Sequence, residues 1–232
     1  MRGLRAGIVV FPGSNCDRDA AHAWEELGIG KASLLWHQDT DLKGVDLVIV
    51  PGGFSYGDAL RAGAIARFAP IMESVARFAA EGGLVMGICN GFQIVCEAGL
   101  LPGALARNEG LKFACKHVTL RVETTHSPFT NTCAPGALLS IPIAHGEGRY
   151  VCDDRTYAQL VEQDLILFRY VGENPNGSRE GIAGIVGGPK RNVMGMMPHP
   201  ERATRPELGS GDGACLFESV GRALAQRSLA AV

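Results

Sequence analysis

The sequence predicts an α/β fold: a doubly wound, mostly parallel sheet with helices on both faces and an antiparallel extension from the second half. Three observations favour this fold. In the first half, short aliphatic and β-branched runs alternate with amphipathic stretches. These runs are apolar at every position, as in strands that helices cover on both sides. The second half holds mostly strand-like runs with few helical stretches between them, which indicates antiparallel pairing.

The first half supplies four predicted strands and three predicted helices. The strands are expected at residues 7–11, 33–36, 47–50 and 84–88. The helices are expected at residues 17–27, 64–80 and 91–98, where apolar residues recur at three- and four-residue spacing. Loops 12–17, 51–58 and 89–91 follow the carboxyl ends of three of the strands. Ligands of parallel α/β sheets bind beyond these ends, so we expect the three loops to open on one rim.

The second half supplies five predicted strands and one closing helix. The strands are expected at residues 115–123, 137–144, 165–171, 181–186 and 192–197, and the helix at 213–230. The Gly- and Asn-rich segment 172–181 is predicted to be a surface hairpin loop. No linker, repeat or charge run divides the chain, so residues 1–232 are predicted to form a single domain.

Composition narrows the functional classes. Hydrophobic residues make up 46% of the chain, which is too apolar for disorder, and the net charge is -2, which argues against nucleic-acid binding. No apolar stretch reaches the length of a membrane span. The seven cysteines are an odd, scattered set without metal-ligand spacing, and the N-terminus has no secretory pattern. We therefore expect a cytoplasmic protein with reduced thiols, no bound metal and no membrane partner.

The sharpest motif is a cysteine between two glycines, at the junction of a predicted strand and a predicted helix. In the sequence from Gly87 to Gly91, Cys89 occupies the place of the nucleophile in a G-x-nucleophile-x-G elbow. Small neighbours are needed there because the strand and helix cross closely. The helix N-terminus favours a thiolate, and the Asn90 N–H is placed to bind an oxyanion. A buried structural cysteine is the alternative interpretation of this pentapeptide.

A histidine between two prolines follows the last predicted strand. The prolines hold the backbone extended, and Glu201, two residues after His199, faces the same way. A carboxylate that orients an imidazole next to a thiol would complete a nucleophile–base–orienter triad. Taken alone, the segment is weak evidence for a triad, because a surface turn with one charge is its more common meaning.

A glycine-rich loop, Pro51 to Asp58, follows the third predicted strand. Its paired glycines allow the backbone N–H groups to approach a ligand, so the loop can provide a second oxyanion donor. A plain strand-to-helix turn is the alternative. A phosphate-binding loop is disfavoured because no Gly-Lys-Ser/Thr follows.

Together these motifs resemble the triad-type (class I) glutamine amidotransferases, which have a flavodoxin-like fold. Within that class the chain is similar to the family of glutaminase subunits of phosphoribosylformylglycinamidine synthase. The resemblance runs from residue 11 to about residue 205 in the family's order. The segments that carry it are 11–17, 51–58, 87–93, 141–148, 173–178 and 194–202. The chain departs from the family at Ala59 and Ala62, where bulkier residues or cysteine are usual.

The resemblance implies a role for each matching residue. Cys89 would attack the side-chain amide of glutamine, and His199, oriented by Glu201, would transfer the protons. The N–H groups of Gly53 and Asn90 would hold the oxyanion. The substrate-binding residues implied in the same way are Gly52, Phe54, Gln93, Arg107 and Asn108. It assigns no role to Cys16, His145 or Glu147.

The resemblance also implies partners. The ammonia would pass to a large synthetase subunit that converts formylglycinamide ribonucleotide to the amidine in purine biosynthesis, with a small bridging subunit between the two. ATP and Mg²⁺ would be used by the synthetase, and this chain would need no cofactor. Segments 172–180 and 202–212 are the expected interface. Two other functions stay open: an independent cysteine hydrolase of another glutamyl substrate, and a non-catalytic regulatory module of the same fold.

Overall fold

The computed structural model describes residues 3–230 of the chain. The strands in this part are β1 (Leu4–Val10), β2 (Gly30–Trp36), β3 (Leu47–Val50), β4 (Leu84–Ile88), β5 (Ala104–Ala106), β6 (Ala114–Val122), β7 (Leu138–His145), β8 (Arg149–Val151), β9 (Ile166–Tyr170), β10 (Ile182–Gly187) and β11 (Val193–Met196). The α-helices are α1 (Asp17–Glu26), α2 (Pro70–Ala80), α3 (Asn90–Glu97), α4 (Asp154–Glu162) and α5 (Ala214–Ala230). None of these helices is long and apolar enough to cross a bilayer.

A nine-stranded sheet forms the centre of the molecule, in the order β2-β1-β3-β4-β11-β10-β9-β6-β7. The first five strands of this order pair in parallel, and the remaining four join the sheet by antiparallel pairing. Strands β3 and β4 are buried at every position, as expected for strands covered on both faces. The predicted α/β fold with an antiparallel extension is therefore confirmed.

The predicted helix at 64–80 was wrong at its start. The α-helix begins at Pro70, and a short 3₁₀ turn, Ala66–Phe68, precedes it. A proline disfavours helical backbone in the residue before it, and Ala69 is extended with a ψ of 140°. The proline then suits the first turn, where its missing N–H is not needed.

The structure also contains elements that the sequence pattern did not predict. Helix α4 is mostly exposed and polar, with Leu160 as the buried residue within Asp154–Glu162, and the Asp153 side chain caps it by accepting from the Thr156 N–H at 2.8 Å. Strands β5 and β8 form a separate two-stranded sheet. Segment 172–181 connects the antiparallel strands β9 and β10, as predicted, but Asn176 and Ser178 within it are buried.

The loops after β1, β3 and β4 open on one rim of the sheet, as predicted. The Cys16 N–H donates to the Gly52 carbonyl at 3.2 Å, which joins the first loop to the second. The Ser55 N–H donates to Asn90 Oδ1 at 3.1 Å, which joins the second loop to the third. Strand β11 lies beside β4, so the segment that follows β11 reaches the same rim.

Candidate active site

Cys89 lies on a strained turn between β4 and α3. Its φ and ψ are 51° and −106°, a conformation that side-chain-bearing residues rarely adopt. The turn is tight: a Cβ on Gly91 would lie 1.8 Å from the Val50 carbonyl oxygen, and one on Gly87 would lie 2.8 Å from the Gly91 carbonyl oxygen. The Cys89 N–H donates to the Met196 carbonyl at 2.8 Å, which fixes the turn to the strand beside it. The geometry is that of a nucleophile elbow.

His199 and Glu201 form a buried pair beside this turn. His199 Nδ1 lies 2.6 Å from Glu201 Oε1, and both side chains are almost fully excluded from solvent. The His199 N–H donates to the Pro142 carbonyl at 2.9 Å, so strand β7 holds the backbone in place. His199 Nε2 has no hydrogen-bond partner within the described residues 3–230. The carboxylate therefore orients the ring and leaves its second nitrogen available.

The electrostatics favour a protonated imidazole. Burial alone would lower the pKa of His199, but the Glu201 carboxylate and the Cys89 thiol outweigh it and hold that pKa well above its ordinary value. His199 is thus suited to keep a proton that it receives from Cys89.

Gly52 lies where the reactive groups converge. A Cβ on this residue would be 2.7 Å from His199 Cε1, 3.0 Å from Cys16 Sγ and 3.4 Å from Cys89 Cβ. Any larger side chain would push these groups apart. Cys16, to which the sequence assigned no role, is therefore a second thiol in the site. Its sulfur also accepts from Arg202 Nη2 at 3.2 Å, and burial raises its pKa.

Two backbone amides belong to residues beside the thiol, because Gly53 lines the same cavities as Cys89 and Asn90 follows Cys89 in the chain. The N–H groups of Gly53 and Asn90 have no hydrogen-bond partner among the residues that the structure describes. Gly53 has a φ of +148°, and a Cβ there would lie 2.8 Å from the Gly13 carbonyl oxygen, so only glycine fits. Asn90 begins helix α3, whose dipole favours negative charge at this end. These are the properties expected of oxyanion donors.

Two adjoining cavities of about 190 and 160 Å³ meet at the thiol. The residues that line both cavities are Gly53, Phe54, Cys89, Phe113 and Ala144. His199 and Cys16 line only the smaller cavity. Asp58 and Glu147 place two carboxylates in the larger one, and burial together with the Glu147 charge raises the pKa of Asp58 to about 6. A separate, more open groove of about 550 Å³ has neither a cysteine nor a carboxylate among its described lining residues.

The comparisons with known proteins agree with this geometry. Residues 4–210 match the family model described as the CobB/CobQ-like glutamine amidotransferase domain. The chain belongs to this glutamine amidotransferase family.

Individual relatives are similar over nearly the whole chain. The phosphoribosylformylglycinamidine synthase subunit PurQ of Koribacter versatilis is 56% identical, over 97% of this chain and 100% of that protein. The protein of the same name from Rubrobacter xylanophilus is 58% identical, over 94% of this chain and 97% of that protein. A chain in the structure of PurLQS from Thermotoga maritima has a TM-score of 0.86 and 47% identity, over 96% of this chain and 99% of that chain. These matches confirm the resemblance found in the sequence motifs.

The glutamine amidotransferase fold brings most of the predicted site residues together. Phe54 and Gln93 line the larger cavity, and Gln93 Nε2 donates to the Glu147 carbonyl at 2.5 Å. Arg107 is exposed and does not line either cavity, but its guanidinium lies 3.6 Å from the Glu147 carboxylate. The predicted contact of Arg107 with substrate stays a prediction.

Asn108 does not reach either cavity, contrary to its predicted place in the substrate pocket. Its Nδ2 donates to the carbonyls of Lys112 and His145, both at 2.9 Å. Its Oδ1 accepts from the Gly148 N–H at 3.0 Å and lies 3.1 Å from His145 Nδ1. The whole amide is thus used to shape the loop that follows β7. The structure assigns Asn108 to the support of the cavity wall.

The structure places His145 and Glu147, to which the sequence assigned no role, at the candidate site. Both line the larger cavity, and burial, with the neighbouring charge of His199, lowers the pKa of His145 to about 4, so its ring is neutral. Phe113 has no signal in the sequence, because a phenylalanine just before a strand is indistinguishable from a packing residue. Asp58 belongs to the glycine-rich motif, and its charge is the feature by which the sequence could have identified it as a residue of the cavity.

One group of described residues has the donor types of a metal site. A sulfur of Cys16, a nitrogen of His199 and an oxygen of Glu201 lie within 4.8 Å of one another. The hydrogen bond between His199 and Glu201 already uses one nitrogen and one carboxylate oxygen of this set. We assign the group to acid–base chemistry and no metal to it.

Replacing Glu201 with glutamine is expected to lower kcat for glutamine hydrolysis by about 10²- to 10⁴-fold. The amide cannot stabilise the imidazolium, so the pKa of His199 should fall and the acidic limb of the pH–rate profile should shift to lower pH. Stopped assays of glutamate release across pH measure both effects. The matched control is Glu162→Gln, at an exposed position at the end of α4, which should change neither kcat nor the pH–rate profile. An unchanged pH profile for Glu201→Gln would show that the carboxylate does not set the charge of His199.

Proposed function

We propose that this chain is the glutaminase subunit of phosphoribosylformylglycinamidine synthase and supplies ammonia to a separate synthetase subunit. The observation that carries the proposal is a thiol on a strained elbow beside a buried His199–Glu201 pair. Its relatives at 56% and 58% identity bear the name of that enzyme's subunit, and their lengths match this chain almost completely.

In this proposal Cys89 attacks the amide carbon of the glutamine side chain, and its proton passes to His199. The N–H groups of Gly53 and Asn90 stabilise the oxyanion of the tetrahedral intermediate. His199 then protonates the leaving nitrogen, which departs as ammonia and leaves a glutamyl thioester on the sulfur. Water, deprotonated by the same histidine, hydrolyses the thioester and releases glutamate. Glu201 stabilises the imidazolium in both halves of the reaction.

The larger cavity supports glutamine as the substrate. Its volume of about 190 Å³ suits a single amino acid, and its carboxylates, Asp58 and Glu147, complement an α-ammonium group. Burial and repulsion between the two carboxylates raise the pKa of Asp58, and a bound cation would relieve this repulsion. A substrate that offers only uncharged or acidic groups would leave these two carboxylates without a partner.

We also propose that the synthetase docks around the mouth of this cavity. Phe54 and Phe113 line the cavities and are half exposed. Leu60 is 92% exposed and Leu111 is 77% exposed, and both have positive φ, which is unfavourable for leucine. Exposed apolar groups of this kind are typical of interaction surfaces. Arg202 and Arg205, in the predicted interface segment 202–212, form ion pairs with Asp19 and Glu26 of this chain.

The thiol chemistry needs no cofactor from this chain. ATP and Mg²⁺ would be used to activate the amide oxygen of formylglycinamide ribonucleotide. We assign this activation step to the synthetase. A small bridging subunit would complete the assembly.

The test is to titrate the synthetase and bridging subunits into this chain and to measure glutamate release. We expect weak hydrolysis by the isolated chain and strong hydrolysis in the complex, with glutamine-dependent amidine formed in equal amount. Leu60→Asp should move the titration to higher synthetase concentration without changing the basal rate. Full activity of the isolated chain, with no response to the synthetase, would favour the independent hydrolase. No glutamate release in the complex would favour the regulatory module.

A further inference from the structure

Two cysteines outside the active site bring their sulfur atoms to 2.9 Å from each other. Cys133 lies in the segment between β6 and β7, and Cys215 is in the first turn of α5. The two residues are 82 positions apart in the sequence, so the fold creates the contact. The sulfur atoms of a disulfide are about 2.05 Å apart, and a small movement would therefore suffice to bond them. The sequence predicted reduced thiols and assigned no role to either cysteine.

Hydrogen bonds from the two residues that precede Cys133 hold its segment against α5. Thr132 Oγ1 donates to the Cys215 carbonyl at 2.8 Å, and the Thr132 N–H donates to Ser219 Oγ at 3.0 Å. Asn131 Nδ2 donates to the Ser219 carbonyl at 2.9 Å. Each of these hydrogen bonds includes a backbone group of Thr132, Cys215 or Ser219. They therefore fix the distance between the backbone at Cys133 and the backbone at Cys215.

The two thiols have different acidities. The hydrogen bond between the two thiols lowers the pKa of Cys133 against the effect of burial. The same bond, with burial, raises the pKa of Cys215. Cys133 is therefore the better nucleophile of the pair, and Cys215, which is the more exposed, lies beside it as the second thiol.

We propose that Cys133 and Cys215 are a reversible modification site that forms a disulfide by exchange with a small-molecule disulfide. The Cys133 thiolate attacks one sulfur of the small disulfide, and one thiolate of the small molecule leaves. The Cys215 thiol then loses its proton and attacks Cys133 in the mixed disulfide, which releases the second thiol of the small molecule. Two protein thiols are oxidised and one small disulfide is reduced to two thiols.

The bond would connect α5 to the antiparallel half of the sheet across a long loop. This loop contains β7 to β11 and the segment with His199 and Glu201. The start of α5 is already joined to that segment, because the Gly213 N–H donates to the Ala203 carbonyl at 2.7 Å. Cross-links that close long loops restrict the unfolded chain most strongly. The oxidised protein should therefore melt at a higher temperature than the reduced protein.

The experiment equilibrates the folded chain in reduced and oxidised glutathione, quenches it with acid and labels the remaining thiols. Trypsin places Cys133 in peptide 122–149 and Cys215 in peptide 203–222, each without another cysteine. We expect these two peptides to become linked, with the loss of two hydrogens, and Tm to rise by roughly 5–15 °C. The link should disappear on return to reduced glutathione.

Three variants make the outcome specific. Cys215→Ser should accumulate a glutathione adduct on Cys133, and Cys133→Ser should show no link and no rise in Tm. Cys115→Ser removes an exposed cysteine elsewhere and should behave like the parent. The proposal is overturned if Cys133 and Cys215 of the parent both stay free. It is also overturned if glutathione adducts accumulate on either of them and the linked peptide does not form. Circular dichroism of each variant checks that the fold is intact.

Discussion

Replacing Cys89 with serine is expected to lower glutamine hydrolysis by at least about 10⁴-fold, the largest loss of any single change in the site. The serine hydroxyl is far less acidic than the thiol, and the surrounding His199 and Glu201 are arranged to accept a thiol proton. Glutamate release by the complex with its synthetase measures the effect. Amidine formation from added ammonium chloride should continue, because that reaction bypasses the thiol.

The ammonia-dependent reaction is the control that separates chemistry from assembly. If Cys89→Ser removed both the glutamine-dependent and the ammonia-dependent reaction, the exchange would have damaged the complex. If the variant hydrolysed glutamine at the parent rate, Cys89 would not be the nucleophile. A covalent glutamyl adduct on the parent chain, absent from the variant, is the complementary measurement by mass spectrometry.

Replacing Gly91 with alanine is expected to lower the free energy of unfolding by about 3–5 kcal/mol. The new methyl group would lie 1.8 Å from the Val50 carbonyl oxygen, so either α3 or β3 must move. Both elements are buried in the centre of the molecule and cannot move independently of their neighbours. Chemical denaturation monitored by circular dichroism measures the change.

Gly110→Ala provides the matched comparison. A Cβ at that position would have no heavy atom within 4 Å, and we expect a change of less than about 1 kcal/mol. Equal stability of the two variants would mean that the close approach of α3 to β3 is not the reason for glycine at the elbow. Glutaminase activity should fall in Gly91→Ala as well, because the same helix begins at Asn90.

The sequence predicted those parts of the fold and site that short patterns determine. The wholly apolar runs of β3 and β4 indicated buried parallel strands, and the glycines around Cys89 indicated a tight turn that has now been located. His199 and Glu201 could be linked to Cys89 only because each follows a strand end, and strand ends of a parallel sheet share one edge. The catalytic roles themselves stay predictions until the variants are measured.

The remaining features depend on contacts that no local pattern encodes. Asn108 was expected in the pocket, but tertiary hydrogen bonds use its entire amide for the loop after β7. Phe113 enters the cavity wall because of how β6 pairs with β7 at the edge of the sheet. The contact between Cys133 and Cys215 joins segments 82 positions apart, and spacing alone could not distinguish this pair from any other.

The position of β11 beside β4 determines when the site can be completed while the chain is synthesised on the ribosome. Met194 and Met86 are register partners although almost half of the 232-residue chain separates them in translation order. In the mechanism proposed above, a ribosome-bound chain that has not yet reached His199 therefore carries its thiol without a proton acceptor. Hydrolysis of glutamine must wait until the last strand has entered the middle of the sheet, which is a slow, non-local step. In that mechanism, an unfinished chain cannot hydrolyse glutamine.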